Sequence, residues 1–173
     1  MPKEPSQRPA AGRFARDEWE LLVTLPGRVL VTASTTASPT TDPTAAVTGG
    51  LAGLAAIAAG HDSASPLVRE VVAAIYAESL HAGVPASDPP AASTLAAGAH
   101  AAELLAANAD PADASAYRDW LAGIAGAVCG AAAAPGTGRL RAAESRYWTL
   151  ARETSCNFAD DLRAALSRRV PRA

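Results

Sequence analysis

Thr44 to Gly60 reads TAAVTGGLAGLAAIAAG, without a charged side chain over some four to five helical turns. A helix that is apolar on every side is expected to be buried on every side, so the stretch is expected as a central helix around which the others wrap. Gly49, Gly50 and Gly53 each cost about 1 kcal/mol against alanine in an isolated helix; their use is expected to be the close approach of a neighbouring backbone. A second run of the same character, Trp120 to Ala134, reads WLAGIAGAVCGAAAA and carries Gly123, Gly126 and Gly130. The two runs are expected to meet in one core.

Working outward, three helix starts are marked by a small polar residue directly before proline: Asp42-Pro43, Ser65-Pro66 and Asp110-Pro111. The residue before proline is pushed out of the helical region, as an N-cap requires, and proline's missing N–H is not needed at the first helical position. These starts open helices at about 43–60, 66–82 and 111–134, with Gly60 and Gly83 suited to left-handed C-terminal positions of the first two. Upstream, Asp17 and Glu18 suit a first turn, and Trp19, Leu22, Val23 and Leu25 form an apolar side. Pro26-Gly27 interrupts that pattern, giving either one bent helix or two short ones, to about Ala33. Ser34 to Asp42 is expected as a loop. After the proline-rich break Val84 to Ala92, Ser93 or Thr94 caps a helix to about Asn108. The last helix, about 142–168, carries Trp148, Ala151, Ser155, Phe158, Leu162 and Leu166 on one face.

No stretch alternates with period two, so the fold class is all-α: a six- to seven-helix orthogonal or bundle-like single domain. Residues 1–13 are expected as a disordered tail, 14–169 as the domain and 170–173 as a C-terminal tail. At 173 residues such a domain buries roughly 70% of its unfolded surface without help from a metal or disulfide. A net charge of −2 with no basic run disfavours nucleic acid. The opening MPKEPSQRPAAGR has no apolar run of a secretory signal, and nothing marks Cys129 and Cys156 as a disulfide framework. A cytoplasmic protein is expected. Thr44 to Gly60 is marginal in length for a membrane, only Val47, Leu51, Leu54 and Ile57 are strongly apolar, and no basic flank adjoins it; no transmembrane segment is expected.

The most suggestive polar constellation is Glu78-x-x-His81 on one helix with His100-x-x-Glu103 on the next. Glu-x-x-His places a carboxylate and an imidazole on one helical face, as in di-iron bundles, so Glu78, His81, His100 and Glu103 are the candidate ligands of a divalent metal. A ferritin-like centre needs more carboxylates and histidines than this pattern supplies, and the chain has only three histidines. Rotation from Leu67 also sets Val68, Val71, Val72 and Ile75 on the apolar side, with His81 well away from it and Glu78 at its edge. His100 lies on an otherwise apolar helix that is expected to be half or more buried; a partly buried histidine beside Glu103 has an acid–base role as the alternative to a hydrogen-bonded core or boundary residue. Glu153, Asn157, Asp160 and Asp161 form an acidic stripe opposite Trp148, Phe158 and Leu162 and are expected to be solvated; Cys129 is expected as an inert core thiol. Gly136-Thr137-Gly138-Arg139 follows a helix and lacks a P-loop ending, so it is expected as a helix connection.

Asp17-Glu18-Trp19-x-x-Leu22 leading through Pro26 into Val29 to Ala33, with the later Tyr117-Arg118-Asp119-Trp120-Leu121, resembles TerB-like all-helical domains associated with tellurite resistance. Where such domains carry an acidic, glycine-containing turn able to hold a cation, this chain has Ser34-Thr35-Thr36-Ala37-Ser38. The resemblance implies an α-helical cytoplasmic or membrane-proximal domain in stress response or partner binding. The function expected from the residues themselves is partner binding or self-association without catalysis, with Gly-x-x-x-Gly spacing at Gly49/Gly53 and Gly126/Gly130 able to serve a subunit contact. No cofactor is expected. The alternatives are the metal protein described above and an enzyme or carrier with a small apolar cavity between helices.

Overall fold

The computed structural model describes residues 10–37, 43–79, 90–132 and 157–167. They form six helices: α1 (Arg16–Ala37), α2 (Pro43–Ala59), α3 (Pro66–Ser79), α4 (Ala91–Asn108), α5 (Pro111–Ala132) and α6 (157–167). Short 3-10 turns occupy Ala10–Arg13 and Gly60–Asp62, and no strand occurs among the described residues. The domain is all-α, as the absence of period-two alternation requires. The turn Ala10–Arg13 falls within the stretch expected as a tail and is tied to α3 by the Ala11 N–H donating to Glu70 Oε2 at 3.1 Å.

Two of the proline-marked starts show their caps. Ser65 Oγ accepts from the Val68 N–H at 3.4 Å, and Asp110 Oδ1 from the Ala112 N–H at 2.9 Å, each satisfying a donor that the first helical turn leaves over. Pro43 opens α2, while Asp42 lies outside the described residues. α1 closes its start differently: Glu18 Oε2 reaches back to the Ala15 N–H at 2.8 Å, the carboxylate half of a capping box. α4 begins earlier than expected, at Ala91, because the Pro90 carbonyl accepts from the N–H groups of Ser93 and Thr94. Thr94 therefore sits inside the helix, where its buried hydroxyl pairs with that of Thr32 at 2.9 Å and links α4 to α1. Of the last helix expected over 142–168, residues 157–167 are described and helical; 142–156 lie outside the described residues, as does Gly83.

Pro26 neither breaks nor ends α1, which runs as one helix from Arg16 to Ala37. Proline at position 26 supplies no N–H to the Leu22 carbonyl four residues earlier. The Tyr117 hydroxyl of α5 supplies that donor, reaching Leu22 O at 2.7 Å inside the core. α1 also continues through Ser34–Ala37, expected as loop. Thr35 and Thr36 turn their hydroxyls back onto the Thr32 carbonyl, at 3.0 and 2.8 Å, so their side chains bond within the helix instead of competing with it.

The core is organised around α1 and α5. Leu22, Leu25, Val29 and Ala33 of α1 meet Tyr117, Leu121, Ile124, Ala125 and Val128 of α5. α3 adds Leu67, Val68, Val71 and Val72, α4 adds Ala101 and Leu105, and α6 adds Phe158, Leu162 and Leu166. The second uncharged run is thus central, and it packs extensively on the first.

The first run is not the central helix. On α2 only Gly49, Gly53 and Ile57 are buried, while Val47, Leu51 and Leu54 are 62%, 63% and 56% exposed. Side-chain size, not polarity, explains the correction. A Cβ at position 49 would stand 3.3 Å from the Val128 carbonyl, and one at position 53 would stand 2.7 Å from Val128 Cγ2 and 2.9 Å from Leu30 Cδ1. Only a seam of glycines lets α2 lie this close to α5 and α1. The large aliphatic residues, on the opposite side of the wheel, then turn outward. The α5 glycines do not form the facing seam: Cβ atoms at Gly123 and Gly130 would meet open space, and one at Gly126 would meet Arg163 of α6.

Candidate functional site

Thr44, Val47, Leu51, Leu54 and Ala58 recur along α2 at spacings of three and four, and so form one stripe along the helix. At 100° per residue its centre lies about 145° round the helix from the side defined by Gly49, Gly53, Ile57 and Gly60. No charged residue lies between Pro43 and Gly60. Pro43–Asp62 is the one helical segment among the described residues that is long and apolar enough to cross a membrane, and most of it is not covered by the rest of the fold.

The inner side of α2 is held in a fixed rotation. Trp120 Nε1 donates to the Ala56 carbonyl at 3.0 Å, at the end of α2 where the helix gives way to the 3-10 turn and its last carbonyls need other donors. The same indole lies against Gly60, where a Cβ would stand 2.8 Å from its ring and 2.9 Å from Val72 Cγ2. Gly60 is therefore required by space, not by a left-handed backbone as its place at a helix end suggested. Tyr117 meets the Trp120 ring edge-on at 5.8 Å, joining this anchor to the Leu22 bond in α1. With its inner side locked by a ring and a hydrogen bond, α2 presents Val47, Leu51 and Leu54 to solvent as a preset surface.

Sequence reasoning missed this surface because it took the lack of charge as a sign of burial. The available signal was the alternation of size: glycines at 49, 53 and 60 on one side, and Val47, Leu51 and Leu54 on the other.

The candidate metal ligands are differently placed. His100 and Glu103 do come together on α4, with Nδ1 and Oε2 3.8 Å apart, but both side chains are more than half exposed. The inner side of α4 is taken by Thr94, Gly98, Ala101, Ala102 and Leu105, which leaves His100 on the outer side, more exposed than covered. The Glu78 side chain and His81 lie outside the described residues. Among the described residues no three His, Cys, Asp or Glu side chains stand together in a group able to hold a metal.

Other carboxylates serve local structure. Asp113 accepts the Ser65 hydroxyl at 2.6 Å, and Asp160 pairs with Arg163 at 2.7 Å on the exposed side of α6. Asn157 and Asp161 are likewise exposed while Phe158 and Leu162 are buried, as the wheel predicts; Glu153, Trp148, Cys156 and Gly136–Arg139 lie outside the described residues. Cys129 is buried in the core. An open cleft of about 340 Å³ between α5 and α6 is lined by Arg118, Asp119, Arg163 and Ser167 beside Ala122, Gly123 and Leu166. Its guanidinium groups are drawn to neighbours within their own helices, Arg118 Nε to the Ala114 carbonyl and Arg163 Nη1 to Asp160.

The chain matches no family model, and neither curated proteins nor solved structures give a match.

Proposed function

We propose that this domain works by association, docking a protein partner on the outer face of α2, and not by catalysis. The observation that carries the reading is the exposure of Val47, Leu51 and Leu54 in one charge-free stripe on a helix whose other side is locked in place. Complete burial of a Val or Leu side chain is worth about 1.5–3 kcal/mol, so a helix that keeps three of them in water forgoes several kcal/mol that a partner recovers. The glycine seam supports the same reading, since it fixes this side of α2 outward without using it for the fold.

Photo-crosslinking tests the proposal. Benzoylphenylalanine placed at position 54 in the full chain is expected to give an adduct of defined mass in cells, and the same group at the exposed position 106 on α4 is expected to give none. Failure to crosslink from position 54 contradicts the proposal.

A further inference from the structure

We infer that the occupant of this face is a second copy of the same chain, with the two α2 helices packed antiparallel about a two-fold axis at Leu51; the inference rests on the docking reading above. The stripe Thr44, Val47, Leu51, Leu54, Ala58 has the three-and-four spacing of a helix–helix seam, so its complement is another helix with such a seam. Helical partners of different sequence are selected largely by charges flanking the seam. This seam has none from Pro43 to Gly60, so nothing in it specifies a foreign partner, and a two-fold contact brings no like charges together.

The order of sizes suits an antiparallel match. Leu51 lies at the middle of the stripe, with one large residue and one small residue on each side: Val47 and Thr44 before it, Leu54 and Ala58 after it. About a two-fold axis at Leu51, Leu51 faces Leu51 of the partner, Val47 faces Leu54, and the small Thr44 and Ala58 meet at the ends, where the helices diverge. The antiparallel arrangement also sets the helix dipoles head to tail.

The stripe extends over about 21 Å of helix and so buries less than the roughly 1,200 Å² of a standard stable interface. The dimer is accordingly weak and concentration-dependent.

Sedimentation equilibrium on the full chain, combined with the crosslinker at position 54, tests the inference. Wild type is expected to show a monomer–dimer equilibrium. Leu51→Glu, which opposes two carboxylates at the axis, is expected to weaken it by more than about thirtyfold, the loss typical of a central contact, while keeping the helical circular dichroism of wild type. The adduct from position 54 is expected at twice the chain mass, and proteolytic mapping is expected to place it within residues 44–50 of the second copy. A wild type that stays monomeric at every concentration, or a Leu51→Glu variant that still dimerises, overturns the inference. An adduct of another mass overturns the second copy and leaves the docking reading standing. An intramolecular adduct to residues 133–156, or flotation with phosphatidylcholine–phosphatidylglycerol vesicles in place of dimerisation, overturns both.

Discussion

Pro26 removes the N–H that a regular helix offers the Leu22 carbonyl, and the fold supplies a hydroxyl from a residue far along the chain. Tyr117→Phe leaves Leu22 O buried without its donor and is expected to cost about 1–3 kcal/mol in denaturant unfolding. In a Pro26→Ala background, where residue 26 has an N–H to offer Leu22, the same substitution is expected to cost less; equal costs in the two backgrounds contradict the pairing. The buried phenol also predicts a pH dependence. Desolvation raises the Tyr117 pKa well above its ordinary value of 10.0, so the folded state holds its proton where the unfolded chain releases it. Stability is then fully present below about pH 10 and is lost as pH rises beyond it. Titration of unfolding free energy from pH 8 to 12 is expected to show a decline that Tyr117→Phe reduces. At this scale the sequence exposes the problem, a proline inside a helical pattern, but not its solution. Nothing local pairs Pro26 with a tyrosine on the fifth helix.

Among the elements, the helix starts were the most legible feature, because Ser65-Pro66 and Asp110-Pro111 combine two local preferences that tertiary packing has no cause to override. Helix orientation was less legible. α2 was assigned to the interior on polarity alone, whereas glycine spacing turned its large residues outward; on α4 the buried Thr94–Leu105 side leaves His100 more than half exposed. The glycines give this account a direct check. Gly60→Ala forces a methyl group against the Trp120 ring and Val72, and is expected to destabilise by about 1–3 kcal/mol and to shift the tryptophan emission. Gly123→Ala, in the same helix as Trp120 but with open space around its Cβ, is expected to stabilise by about 1 kcal/mol through helix propensity. Thermal unfolding of the two variants with opposite signs supports the seam; a loss in both, or in neither, contradicts it.

For the whole molecule, the class of fold and the meeting of the two uncharged runs could be read from the sequence, since both follow from helical periodicity and the absence of alternation. Which of the two runs lies inside was not read, because both are equally free of charge and what distinguishes them is the placing of glycines on one side of α2 and large aliphatic residues on another. That difference is what turns a core element into an interaction surface, so the proposed association depends on α2 lying outside. The unfolding free energy of Leu51→Glu, measured at concentrations where the chain is monomeric, tests this most directly. A surface position predicts a change within about 0.5 kcal/mol of wild type; a loss of several kcal/mol, as an unpaired carboxylate driven into a buried helix would cause, contradicts it.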